Sequence, residues 1–140
     1  MRVLAAITDE GERVLRQVNP GKIRHGRPSS AVFEPRPADE GMLSVTRESM
    51  RAASEAYSLF CSNPRCRSAG VLAVTVGEAL AETLNTHTAP MVTAEGDPID
   101  DDAHCIIDFR QVAPDDVEVR AIGLHRAAMA RGYVHEPPKT

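Results

Sequence analysis

The sequence predicts an α+β fold: one small domain in which a short mixed sheet is packed by two or three helices. Three observations carry that expectation. Gly70-Val71-Leu72-Ala73-Val74-Thr75-Val76 is a continuous, largely β-branched run, which marks a strand buried on both faces and central in its sheet. From Pro114 onward, Val117, Ala121, Leu124 and Ala128 recur at helical spacing, with Asp115 and Asp116 at the start, Arg126 and Arg131 near the end, and Gly132 to close. A chain of 140 residues is long enough to bury one core without metals or disulfides.

The remaining elements follow in order. Arg2 to Ile7 reads as a first strand. Thr8 or Asp9 caps a short helix through Val18, whose positive N-terminus suits Asp9, Glu10 and Glu12, and Asn19-Pro20-Gly21 stops it. No helical period runs from Lys22 to Gly41, where prolines punctuate a long loop and Ala31 to Phe33 forms a brief strand. Leu43-Ser44-Val45 is a strand leading into a helix capped by Thr46, with Met50, Ala53, Tyr57 and Phe60 on one face. Cys61 to Ala69 is a polar loop, and a short helix runs from about Gly77 to Leu84. Asn85 to Ala103 is a second long loop, ending in the acidic Asp97, Asp100, Asp101 and Asp102, and His104 to Phe109 is another strand. The domain spans residues 1–134, and the proline-containing tail at 135–140 is expected to fray.

Composition narrows the function classes. Hydrophobic residues make up 42% and charged residues 26%, as in ordinary soluble domains. With no Trp, three Phe and two Tyr, the chain lacks the rings of a base-stacking platform, and a net charge of −4 disfavours a general nucleic-acid backbone binder. Charge is unevenly spread: residues 1–70 hold 11 Lys/Arg against 8 Asp/Glu, and residues 71–140 hold 5 against 12. No apolar run has transmembrane length and no secretory signal opens the chain, so a cytoplasmic protein is expected, with no membrane role. The three cysteines, Cys61, Cys66 and Cys105, are then reduced thiols.

The densest group of polar donors lies at Arg24, His25, Arg27, Ser29 and Ser30, inside a Pro-framed stretch that ends at Val45. Arg27 can offer a planar fork to a carboxylate or phosphate, the two hydroxyls can complete a cradle, and Gly26 allows close backbone approach. The bland alternative is a loop of local serine turns whose arginines pair with acids elsewhere. On the strand at His104, His104 and Asp108 share a face, yet four residues of strand hold them about 13 Å apart, so each needs another partner. Glu78, just after the strongest strand, is the remaining acid of interest.

Other chemistries lack their patterns. Cys61 and Cys66 have no second close pair to complete a zinc site, the aspartates lack calcium-loop spacing, and neither metal nor cofactor is expected. There is no G-x-S-x-G elbow and no H-E-x-x-H. Cys66 lies between Arg65 and Arg67, which would favour its thiolate if exposed.

The pieces Asn19-Pro20, Ile23-Arg24, Arg27-Pro28-Ser29-Ser30-Ala31-Val32-Phe33, Leu43-Ser44-Val45, Gly70 to Glu78, His104 to Phe109 and Ala130-Arg131-Gly132 follow in a recognisable order. In this the chain resembles a family of small bacterial proteins of uncharacterised function. The resemblance implies a stand-alone bacterial protein and brings no activity with it. A fainter similarity links Arg24-His25-Gly26, the two serines and Glu78 to ADP-ribosyltransferases, although the Pro-broken segment departs from their clean strand. The expectation is an accessory or binding protein whose loop at 24–36 contacts an acidic protein partner or an anionic small ligand. The alternative is a small enzyme acting on a nucleotide or nucleic acid, ADP-ribosyltransferase-like or nuclease-like, using Arg27, Ser29, Ser30, His25 and His104.

Overall fold

The computed structural model describes residues 5–89 and 103–137. Five strands form the main sheet: β1 (Arg13–Gln17), β4 (Met42–Arg47), β5 (Val71–Thr75), β6 (Asn85–Thr88) and β7 (His104–Asp108). A two-stranded hairpin of β2 (Ile23–Arg24) and β3 (Arg27–Pro28) stands apart, and the helices are α1 (Ala53–Cys61), α2 (Val76–Ala81) and α3 (Pro114–Arg131). The α+β class is as expected. The spatial order of the sheet is β5-β1-β4-β7-β6, and every pairing in it is antiparallel, where a mixed sheet was expected.

The expected helix through Val18 is instead strand β1, with residues 9–12 leading into it. Val14 and Leu15 are both buried, and they point to opposite faces. Val14 and Val18 join the main core with Leu72, Val74, Leu124 and Ala128, whereas Leu15 packs with Ala56, Val71 and Ala73 in a smaller cluster under α1. A segment with β4 and β5 available on its two sides and apolar neighbours above and below gains more as a strand than as a short helix. Glu12 then does not serve a helix N-terminus. It is buried, accepting from the Arg47 guanidinium and the Ser49 hydroxyl.

Four other expectations are corrected. Ala31–Phe33 lies in a 3-10 turn over Ser30–Phe33, which places Val32 and Phe33 in the core against α3. Thr46 is no cap: it sits in β4, aligned with Leu15 on one side and His104 on the other, and α1 begins seven residues later at Ala53. Met50, read onto one face of that helix with Ala53, Tyr57 and Phe60, lies before α1 and is half exposed at 50%. Within the expected loop after Leu84, Asn85–Thr88 is strand β6 along β7. The acidic residues Asp97 to Asp102 lie outside the described residues, as do residues 2–4 of the expected first strand.

β5 is buried on both faces as expected, but it is an edge strand. The chain near its end covers that edge: the Val71 N–H donates to the His135 carbonyl and the Val134 N–H to the Val71 carbonyl, each at 2.9 Å. Arg131 adds a guanidinium bond to the Ala73 carbonyl at 2.7 Å. The opposite edge is treated alike. Ala6 bridges to His87, and the Ile7 N–H donates to the Thr86 carbonyl at 2.9 Å. Both rows of strand-edge groups thus find partners that block edge-to-edge association.

α3 matches its expected span. Pro114 opens it, Ala121, Leu124 and Ala128 are its buried stripe, and Gly132 follows at φ 81°. α2 is capped reciprocally: the Thr75 hydroxyl accepts from the Glu78 N–H at 3.0 Å and the Glu78 carboxylate accepts from the Thr75 N–H at 2.7 Å. No helix among the described residues is long and apolar enough to cross a membrane.

Candidate functional site

The basic stretch is built as an anchored base and a free tip. Ile23 and Arg24 pair with Pro28 and Arg27, and His25 and Gly26 close the hairpin at φ 55° and 76°. Two consecutive positive φ values are the signature of a tight turn matched to strand twist. Gly26 therefore serves the turn, and the chain accepts a strained His25 beside it.

The serines belong to the base. Ser29 donates through both its hydroxyl, at 2.7 Å, and its N–H, at 3.0 Å, to the Lys22 carbonyl, and Ser30 opens the 3-10 turn behind it. His125 of α3 donates to the Pro28 carbonyl at 2.7 Å. Arg16 extends from β1 and donates to the Val32 carbonyl at 2.8 Å and the Ser44 carbonyl at 3.0 Å. Burial pushes the Arg16 pKa down to about 10, against the favourable pull of Asp39, and its charge is retained at neutral pH.

The tip is the reverse. Arg24, His25, Gly26 and Arg27 are all exposed. Arg24 folds one nitrogen onto the Gly21 and Ile23 carbonyls, while Arg27 and His25 have no side-chain hydrogen bond or ion pair among the described residues. From Arg13 through Phe33 the chain holds five cationic residues and no acid. None of the hairpin's own neighbours in sequence neutralises it.

The other residues singled out from the sequence go elsewhere. Glu78 is committed to the α2 cap and to Arg131, which contacts both of its oxygens at 3.2 Å. Asp108 accepts from the Arg110 N–H at 2.9 Å and from its guanidinium at 3.0 and 2.8 Å, with His87 Nε2 at 3.5 Å. His104 lies on the sheet face opposite α3, since Cys105 and Ile107 between its face-mates enter the core beneath that helix. Among the described residues no hydrogen bond or ion pair joins Arg27, Ser29 or Ser30 to His104, or the hairpin to Glu78, whose partners are the α2 cap and Arg131. Cys61 and Cys66 are half-buried free thiols and Cys105 is buried. The described residues contain no cluster of three metal-ligating side chains.

A shallow cleft of about 410 Å³ lies between Pro35–Gly41 and the start of α3, floored by Phe109, Val112 and Val117. Its two rim arginines are occupied: Arg36 holds Asp39 at 3.1 Å and Arg110 holds Asp108. Sequence reasoning missed Ser44, His87, Arg110 and His125. Only the alternation Thr86-His87-Thr88, with Thr86 buried, carried a strand signal that could have found one of them.

Four carboxylates sit below their ordinary pKa. Burial opposes the charge on Glu12, Asp39 and Glu78, but hydrogen bonds from Ser49 and Arg47, from Arg36, and from Arg131 and Thr75 outweigh it. On Asp108 the Arg110 hydrogen bonds dominate. A depressed carboxylate stabilises the fold above its unfolded pKa, about 4, and loses that contribution as pH falls through the lower folded value. The urea midpoint is accordingly expected to stay level from pH 7 to about 5 and to fall steadily below about pH 4. A midpoint that rises on acidification would contradict these pairings.

Comparison of the chain with known protein families, with curated proteins and with solved structures yields no match.

Proposed function

We propose that this is a binding protein that docks an acidic surface of a protein partner through the hairpin tip at Arg24, His25 and Arg27. The observation that carries the reading is the contrast within one loop: Ser29 and Lys22 brace its base internally and Arg16 and His125 tie it to the body, while the Arg27 guanidinium is exposed with no partner among the described residues. A cation held on a rigid, pre-ordered turn loses little entropy when it meets a carboxylate. The tip is convex. Small anions are usually held in concave sites, so a partner's surface suits it better than a free small ligand.

The test is a pull-down from the cells that make the protein, with the wild type and the Arg24→Glu/Arg27→Glu variant side by side. The wild type is expected to retain one stoichiometric partner and the variant to lose it. Both should keep the same thermal midpoint within the change that surface substitutions cause, about 0.5 kcal/mol. Equal recovery by both proteins, or nothing above background with the wild type, rejects the reading.

A further inference from the structure

The sheet face turned away from α3 carries an arrangement that the hairpin reading leaves unused. β4 presents Ser44 and Thr46 there, β7 presents His104, Ile106 and Asp108, and β6 presents Asn85 and His87. In register, Ser44 and His87 flank Ile106 from its two sides. The imidazole of His104 reaches diagonally across to Ser44, with Nε2 to Oγ at 3.2 Å. Its Nδ1 is bonded to the Ala89 carbonyl.

A carbonyl oxygen can only accept, so the proton must sit on Nδ1. Neutral His104 is thereby fixed in the tautomer whose Nε2 carries the lone pair, and the exposed Ser44 hydroxyl becomes the donor to it. Nucleophile, base and orienting acceptor are then in line, with a main-chain carbonyl in the place a carboxylate often takes. We propose that Ser44 and His104 form an acyl-transfer site, with Ser44 as nucleophile, His104 as general base and the Ala89 carbonyl as the group that orients it.

The step balances without a further reagent. The Ser44 proton passes to His104 Nε2 as Oγ bonds to the substrate carbonyl carbon. The bond from that carbon to the leaving oxygen breaks, and the leaving oxygen takes the proton from Nε2. Water then repeats the sequence: it gives a proton to Nε2, adds its oxygen to the acyl carbon, and Ser44 leaves with the proton restored. The one cation among the described contacts of Ser44, Arg16, donates to its main-chain carbonyl, and no described hydrogen bond pairs donors beside its hydroxyl to hold a developing oxyanion, the groups that let such sites cleave amides. The substrate class is accordingly an activated carboxylic ester, whose leaving group needs least assistance.

The experiment treats the full-length protein with a fluorophosphonate probe, which phosphonylates activated serines, and maps the adduct by mass spectrometry. The wild type is expected to carry one adduct at Ser44. Ser44→Ala should carry none, and His104→Gln should react about 100-fold more slowly, the scale of a lost general base. Ser44→Cys provides an independent measure: beside His104 its thiol should alkylate with iodoacetamide faster than Cys61 or Cys66. This measure needs no His104 variant to fold. Absence of an adduct at Ser44, equal labelling of His104→Gln, or a Ser44→Cys thiol no faster than the native ones overturns the proposal. None of these outcomes depends on the hairpin's partner.

Discussion

Replacing Phe33 by alanine is expected to destabilise the protein by about 3–5 kcal/mol, a large share of the 5–15 kcal/mol typical of such domains. Phe33 has no solvent exposure and lies in the main core, on a turn packed against α3. The cost of a truncated core side chain depends on how far its surroundings collapse into the cavity. Here collapse is resisted. The neighbouring Val32 carbonyl is held by Arg16, the Ala31 carbonyl accepts from Lys22, and Ser29 is bound to Lys22. The turn cannot slide inward without breaking these bonds, which places the loss toward the upper end. Urea unfolding with intrinsic or far-ultraviolet detection checks it. A loss below about 1 kcal/mol would mean that the turn relaxes freely and that the loop base is not the rigid mount described above.

Gly70→Ala is expected to cost about 2–4 kcal/mol, from backbone strain and overpacking together. Gly70 has φ +148°, a region that side chains rarely adopt, and a Cβ there would meet the Tyr133 ring at 2.6 Å and the His135 carbonyl at 3.0 Å. Tyr133 belongs to the segment that covers the edge of β5. Relief of the clash therefore moves the residues that bond to Val71. Beyond the lower midpoint, amide exchange at Val71 and Val134 should rise far more than exchange within β4 and β7. A variant that keeps its midpoint within about 0.5 kcal/mol would show that Tyr133 simply rotates aside and that the edge is held by other means.

Legibility from sequence followed how local each determinant was. α3 was readable in full, because Pro114, the acidic first turn, the apolar stripe and Gly132 all act within one helix. β5 was readable as a doubly buried strand, though its place at the edge was not. That place depends on the segment at 134–135, whose pairing leaves no local pattern. β1 was misread because Val14, Leu15 and Val18 fit a helix face as well as a two-sided strand. Only β4 and β5, distant in sequence, decide between them.

Locality governs the sites as well. Arg24, His25 and Arg27 stood out as donors, and their exposure follows from a short turn. The inward role of Ser29 and the commitments of Glu78 and Asp108 required partners from other elements. Ser44 and His104 meet only because β4 and β7 align in one register, and a slip of a single residue would turn one of them into the core.

That order of strands also bears on how the chain reaches its native state. Among the described strands of the sheet the neighbours are separated by long stretches of chain, and even β6 and β7, which follow one another and pair, have 15 residues between them, so no tight turn starts the sheet. β1, made early, must find β4 across the basic loop and β5 beyond α1 before either of its edges is satisfied. Such non-local closure costs loop entropy before any contact repays it, and places folding among the slower small domains, in milliseconds to seconds. The short hairpin at Arg24–Arg27 is the exception. Its turn closes locally, so the hairpin proposed to dock a partner can take shape well before the sheet that carries it.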